Sequence, residues 1–362
     1  MFETIIYILG FLVILSVLII VHEAGHFAMA KAAGVKVLEF GLGFPPRVWG
    51  IRYGDTLYSF NALPLGGFVK MVGEEDPTEP QSLAGKSVGL RFLVMAAGPF
   101  MNALLAVVLF SLLFMIPQDV AVGQVTVMDV LPGSPAQAAG ILPGDVIVST
   151  DDRPLDNHSE LAYRIGLKLG AEMTWLVDRG GQQLTVNLVP RFDPPGEEGA
   201  TGIEVRTADY HIESRTEPFW IAPIKGVQRM GDVLVLVKNE FTKWAVGGAA
   251  PQVTGPIGMA QIFSEVSQEE GFRLIERVLM TINLAAVISL SLAIFNFLPI
   301  PALDGGRILF IAIEVVRRGK RIPPEKEGMV HLVGFVVLIT LALFIGFVDL
   351  SRIFRGESLL GG

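Results

Sequence analysis

The chain has 362 residues, 51% of them hydrophobic and 18% charged, with a formal net charge of −8 and no cysteine. A mean hydropathy of +0.54 is too high for an ordinary soluble protein and points to a polytopic membrane protein with some water-exposed mass. The acidic balance leaves no basic footprint for nucleic acid. The missing cysteines exclude disulfides, thiolate zinc sites and cysteine nucleophiles together, so a metal has to be held by carboxylates and by the five histidines, His22, His26, His158, His211 and His331.

Four stretches free of Asp, Glu, Lys and Arg are long enough to span a bilayer: Ile5–Val21, Phe92–Ile116, Val278–Leu303 and Val330–Val348. The expected fold class is a polytopic α-helical membrane protein with four transmembrane helices. The first, within residues 1–33, has no basic n-region, and Glu3 stands where Lys or Arg belongs, so it reads as an anchor and not as a cleaved signal peptide. At its inner end His22-Glu23-Ala24-Gly25-His26 forms an HExxH motif. On a helix this spacing puts both imidazoles on one face, where they can share a Zn2+ ion while Glu23 polarises a water. Ionisable groups inside a spanning segment are costly and rarely kept without a role. The motif therefore reads as protease chemistry at membrane depth.

Residues 34–90 follow on the cytoplasmic side. Val35–Val72 has short β-type runs such as Asp55–Phe60, broken by Gly43, Pro45, Pro46, Pro64, Gly66 and Gly67. Non-helical backbone beside an intramembrane site must pair internally or line a cavity, which predicts a re-entrant β-element; a plain cytoplasmic loop is the alternative. Glu74–Lys86 is an acidic, polar surface segment, and residues 91–116 form the second helix.

Residues 117–277 are the external portion. Within 117–206, β-rich runs alternate with turn signals, and Leu131-Pro-Gly-Ser-Pro-Ala-Gln-Ala-Ala-Gly140 followed by Leu142-Pro-Gly-Asp145-Val-Ile resembles the PDZ signature. The expectation is one extracytoplasmic PDZ domain, β-rich and α+β, of the kind that captures a peptide by strand addition and holds a terminal carboxylate in backbone N–H groups. Thr201-Gly202-Ile203-Glu204-Val205 is the candidate carboxylate loop, with a plain last strand as the alternative. In the amphipathic region 207–277, Trp220, Ile224, Val227, Met230, Leu234, Val237, Phe241 and Trp244 recur at helical spacing, which suits the membrane interface or packing on the domain.

Two histidines leave a zinc site one protein ligand short. The third helix, residues 278–306, ends in Asn296-Phe-Leu-Pro299-Ile-Pro301-Ala-Leu303-Asp304-Gly305-Gly306, which offers Asp304 as that ligand; a carboxylate marking the membrane border is the alternative. The prolines free backbone carbonyls and Asn296 adds an amide, a set that could grip an unwound peptide. The loop 307–328 carries Arg317, Arg318, Lys320, Arg321 and Lys326, so the positive-inside rule puts it in the cytoplasm. The fourth helix, 329–350, and a tail, 351–362, complete the chain. Both termini and the PDZ domain then lie outside, with the HExxH motif toward the cytoplasm.

HExxH in the first helix, NxxPxxxxDG in the third and a PDZ domain between the second and third resemble the site-2 protease family of intramembrane zinc metalloproteases, closest to the bacterial RseP type. The resemblance covers essentially the whole chain. It implies a zinc endopeptidase of the bacterial inner membrane in which His22, His26 and Asp304 bind Zn2+, Glu23 is the general base, and Asn296 and Pro299 lie by the substrate. It further implies that Gly66 and Gly67 belong to a re-entrant loop that meets the substrate strand, and that Gly98, Pro99 and Asn102 are structural or substrate-adjacent. The implied substrates are single-span membrane proteins already trimmed by an upstream site-1-type protease, such as anti-sigma factors, and signal-peptide remnants. The better-known enzymes of this type carry two tandem PDZ domains, and one is legible here. A proteolytically inactive membrane scaffold that presents a PDZ domain is the alternative function.

Overall fold

A computed structural model describes residues 2–74, 76–196, 198–248, 254–268 and 273–355. The chain divides into two compact units, Met1–Leu113 with Val253–Gly362, and Phe114–Gln252. The first unit opens with α1 (Phe2–Ala32), the strands β1 (Val37–Tyr53) and β2 (Thr56–Met71), and α2 (Val88–Met115). The second contains β3 (Gln118–Val130), α3 (Pro135–Ala138), β4 (Val146–Thr150), β5 (Arg153–Pro154), α4 (His158–Leu167), β6 (Met173–Arg179), β7 (Gln182–Leu188), β8 (Ile203–Arg215) and α5 (Ala222–Ala245). The chain returns to the first unit with α6 (Pro256–Gln268), α7 (Leu274–Phe297), α8 (Asp304–Val316) and α9 (Pro324–Arg355).

Among the described residues, four helices are long and apolar enough to cross a membrane: α1 from Leu9, α2, α7 and α9. The protein is a polytopic membrane protein, as the hydropathy predicts. Between α1 and α2 the backbones approach closely, because a Cβ at Gly25 would run into the Ala97 carbonyl; small residues at such a crossing let packing, not the hydrophobic effect, hold helices together in lipid. Arg91 of α2 and Glu314 of α8 are both buried, and Arg91 Nη2 donates to both carboxylate oxygens at 2.8 Å, a charge-assisted pair between the two helices. Val37, Met71, Val94 and Ile311 pack in one core and bind the strands to these helices.

β1 and β2 fold back on each other into four paired segments, antiparallel except where Glu39–Leu42 and Leu57–Phe60 run in the same direction. Glu39–Leu42 pairs with Leu57–Phe60 on one side and with Gly67–Lys70 on the other, and Trp49–Tyr53 pairs back onto Thr56–Phe60. Gly67–Lys70 is thus an outer strand, and among the described residues no further strand pairs with it.

The third span ends earlier than the apolar run suggests. The sequence predicts a helix to residue 306 and a basic loop over 307–328. Instead α7 stops at Phe297, Leu298 is extended at φ −64° and ψ 142°, and α8 occupies Asp304–Val316. The prolines are the cause: Pro299 and Pro301 push the residues before them out of helical geometry and remove the amide hydrogens a helix needs. The fourth helix is also longer than expected, because Pro324 is a favourable first helical residue and the polar turn up to Met329 is helical as well.

In the second unit the sheet order is β7-β6-β4-β3-β8, with β5 paired to β4. Trp175, Val125, Ile141, Ile147 and Leu161 form its core. Ser134 and Asn157 cap α3 and α4 by accepting from Gln137 N and Glu160 N, which is why the Gly-Ser-Pro turn leads into a helix. The boundary expected at residue 206 moves outward, because β8 stays paired with β3 through to Gln118 and Arg215. The amphipathic helix expected from the spacing of Trp220 to Trp244 forms as α5, but it starts at Ala222, after Trp220. It packs on α4: Tyr163 Oη donates to Asp232 Oδ2 at 2.8 Å and Asn239 Nδ2 donates to Gly166 O at 2.8 Å. Phe219, Trp220 and Trp244 remain exposed. Further along, α6 lies in a stretch read only as amphipathic. Asp349 of α9 accepts from Gly255 N and Gly258 N, and Phe263 packs with Phe11, Leu18 and Ile288.

Candidate metal centre

α1 places His22 and His26 one turn apart, and the loop after α7 brings Asp304 to them from the far end of the sequence. His22 Nε2 and His26 Nε2 lie 3.0 and 3.2 Å from Asp304 Oδ2, and 3.2 Å from each other. Donors held 2.0–2.2 Å from one tetrahedral ion stand about 3.3 Å apart, so the triangle has the size that zinc coordination requires. Asp304 offers a carboxylate, which is an anion at neutral pH as a ligand must be. Among the described residues this is the one cluster of His and carboxylate able to hold a metal.

The groups behind the imidazoles complete the fit. His26 Nδ1 donates to Val94 O at 2.8 Å, which leaves the Nε2 lone pair for the metal. His22 Nδ1 lies 3.3 Å from the amide of Asn102, whose Oδ1 is buried without a partner. Turning the amide by half a turn lets Oδ1 accept from His22 Nδ1–H, which satisfies both groups and frees His22 Nε2 in the same way. Gly98 of α2 sits directly behind the rings: a Cβ there would run into His26 Nε2 and stand 2.8 Å from His22 Nε2. The Asp-Gly-Gly run has an equally concrete reason, since a Cβ at Gly305 would strike the Leu298 carbonyl and one at Gly306 would stand 2.5 Å from Ile300 O. Only glycines let the loop fold back over the start of α8 and hold Asp304 toward α1.

The rings open into a cavity of about 520 Å³ lined by Glu23, Gly67, Val69, Asn296, Asp304 and Arg307 among others. The β2 strand reaches it at Gly67, where a Cβ would stand 3.0 Å from Glu23 Cγ. Of the residues expected beside substrate, Asn296 and Gly67 line this cavity, and Asn296 Nδ2 donates to Leu292 O. Gly66 is at φ 115° against Phe44, and Pro299 is exposed at the α7 break; neither lines the cavity. Asn102 is fully buried, lies outside the cavity lining, and has the His22 ring as its partner. Sequence reading also gave no role to Val94, whose carbonyl orients His26, or to His331; nothing in a backbone carbonyl or a single histidine announces a partner many residues away.

In the second unit, Gly202 has φ 69° and its carbonyl accepts from Leu131 N, while Thr201 O accepts from Ala136 N. The edge strand β8 and α4 enclose a cavity of about 390 Å³ lined by Leu161, Ile165, Thr201, Ile203, Val205 and Lys243 among others.

A polytopic membrane protein with an HExxH helix and a third acidic donor at ligand distance is a membrane-embedded zinc metalloprotease. The sequence agrees: residues 10–341 match the model of peptidase family M50, and the chain belongs to that family, the site-2 proteases. It is 35% identical to a protein of Clostridium perfringens provisionally described as a zinc metalloprotease, over 95% of this chain and 98% of that one. It is 31% identical to one of the same description from Rhizobium meliloti, over 95% and 96%, and 27% identical to the zinc metalloprotease RasP of Oceanobacillus iheyensis, over 96% and 99%.

Proposed function

We propose that the chain carries out regulated intramembrane proteolysis with His22, His26 and Asp304 as the zinc ligands and Glu23 as the general base. The observation that carries this reading is the triangle of three donors 3.0–3.2 Å apart at the end of an apolar helix. Zinc held there supplies Lewis acidity toward a water and toward the scissile carbonyl. Glu23 accepts the water's proton and returns it to the leaving amine. Val94 O and Asn102 keep both imidazoles in the metal-binding tautomer.

A helical substrate hides its carbonyls in hydrogen bonds and has to be extended before attack. The outer strand Gly67–Lys70 supports a role as the template for that extended form by strand addition, with the β1–β2 element entering the membrane from the cytoplasmic side. Asn296 and the non-helical backbone between Leu298 and Leu303 hold the other side of the peptide. The substrates are transmembrane segments of single-span proteins trimmed beforehand by a site-1-type protease, anti-sigma-factor-like proteins among them, and signal-peptide remnants. The orientation that suits this has both termini and the second unit outside the bacterial inner membrane. In that unit Gln118–Arg215 acts as one PDZ domain, a reading supported by the free edge of β8 beside α4 and by the turn at Thr201-Gly202.

Asp304→Ala tests the ligand assignment: the purified variant should lose both zinc and cleavage of a transmembrane substrate. Full zinc content in that variant would reduce Asp304 to a border residue and end this reading.

A further inference from the structure

We infer that His331 is a positioning residue for the metal centre, acting through the loop that carries Asp304, an inference that rests on the reading of Asp304 as a zinc ligand. Ala302 takes the left-handed conformation at φ 78°, which a residue with a Cβ rarely adopts. Its amide donates to His331 Nδ1 at 2.8 Å, a bond that crosses from the loop to α9. The acceptor has to be a bare ring nitrogen, so the His331 proton sits on Nε2, which lies 3.9 Å from Glu327 Oε1 one turn earlier.

One turn further on, Gly334 completes the grip. A Cβ there would run into Pro301 Cβ and stand 2.6 Å from Pro301 O, so α9 lies against the loop at backbone distance. His331 and Gly334, three residues apart on one face, hold Pro301 and Ala302, and Asp304 follows two residues later. The rest of α9 is the least buried of the four candidate spans. Within the loop Ile300 N donates to Leu298 O and Leu303 N to Ile300 O, and the Ala302 amide between them donates to α9, so the bond from α9 fixes the strained residue next to the ligand. A displacement of about 1 Å at a catalytic centre costs on the order of 100-fold in rate, so that anchor matters to a ligand two residues away.

The test uses the full chain and two substitutions. His331→Leu removes the acceptor; His331→Asn puts Oδ1 where Nδ1 stood and keeps it. In the metal-free protein, His331→Leu should raise amide hydrogen exchange across 298–306 by about tenfold or more while α2 stays as protected as before, and His331→Asn should return it to within about threefold. In the zinc-loaded protein, His331→Leu should release zinc to a chelator about 10–100-fold faster and lower kcat by a similar factor, with KM little changed and with recovery in His331→Asn. Unchanged exchange in His331→Leu, failure of His331→Asn to restore it, or loss of protection throughout α2 would each overturn the inference. The separate failure of the metal reading would show as full zinc content in Asp304→Ala, which leaves the exchange result to be judged on its own.

Discussion

His22 Nε2 stands 3.0 Å from Asp304 Oδ2, although the two residues are 282 positions apart in the chain. No local segment contains the metal centre: α1 supplies two donors, the first residue of α8 the third, and α2 lies against the rings with Gly98, Val94 and Asn102. The site is therefore as sensitive to the α1–α2 contact as to the ligands themselves.

Gly98→Ala tests that sensitivity. The added methyl would occupy the space of both imidazole Nε2 atoms, and the helix backbone cannot retreat without separating α1 from α2. Zinc content measured on the purified protein should fall, and cleavage should drop by about 100-fold or more, although no ligand has been touched. A fully loaded, active Gly98→Ala protein would show that the rings have slack on that side.

Glu23 lines the cavity beside Gly67 and is not a member of the donor triangle. Glu23→Gln keeps shape and polarity but cannot accept a proton, so it should lose roughly 10²- to 10⁴-fold in rate and still bind one zinc. Measuring metal and turnover on the same sample separates the two roles; turnover at the original rate would remove Glu23 from the chemistry.

The sequence made the donors legible because HExxH is a local pattern with one geometric outcome on a helix, and because Asp304 follows a run that prolines must interrupt. The same prolines misled the boundary: a run without charges reads as one span to Leu303, while Pro299 and Pro301 end α7 at Phe297 and start a second helix at Asp304. α8 was hidden by Arg317–Lys326, a cluster that belongs to the turn after it. Asn102 was legible only through the family resemblance, as structural or substrate-adjacent, and the fold reveals that it meets His22. Contacts such as Arg91–Glu314 and Ala302–His331 join residues far apart in the chain and leave no periodic trace.

Asp145, in the Pro-Gly-Asp turn, accepts from Arg179 Nε and Nη2 at 2.7 and 2.8 Å and from Leu142 N at 2.9 Å. The Arg179 hydrogen bonds hold its carboxyl below the usual carboxylate range. A group depressed on folding adds stability that is fully present above its unfolded value of about 3.9 and is lost as pH falls through the folded value. Hydrogen exchange of the Gln118–Arg215 sheet should therefore quicken as pH is lowered from about 5 toward 3, once corrected for intrinsic exchange. Asp145→Asn should cost about 1–3 kcal/mol at neutral pH and flatten that acid dependence; an unaltered acid profile would assign the loss to other carboxylates.

The last prediction asks whether the second unit takes part in bond breaking. Gln118 and Arg215 are paired across β3 and β8, so the two ends of the sheet lie about 5 Å apart. Excising residues 118–215 and joining Pro117 to Thr216 through about two or three glycines bridges that gap. The bonds from Thr216 Oγ1 to Met115 O at 3.0 Å and from Glu217 N to Phe114 O at 2.7 Å lie outside the excised stretch. The donors, Glu23 and the Gly67–Lys70 strand all belong to the first unit, so zinc binding should be unchanged and a short, pre-trimmed transmembrane substrate should still be cleaved. Selection should change instead. A domain that filters by size would, once removed, allow an untrimmed substrate with a bulky external part to be cut faster than by the full chain. A domain that recruits through the β8 edge would, once removed, raise KM for substrates with a free external C-terminus and leave kcat nearly as it was. A folded, zinc-loaded deletion variant that cleaves neither substrate would make the second unit part of the catalytic apparatus and refute both roles.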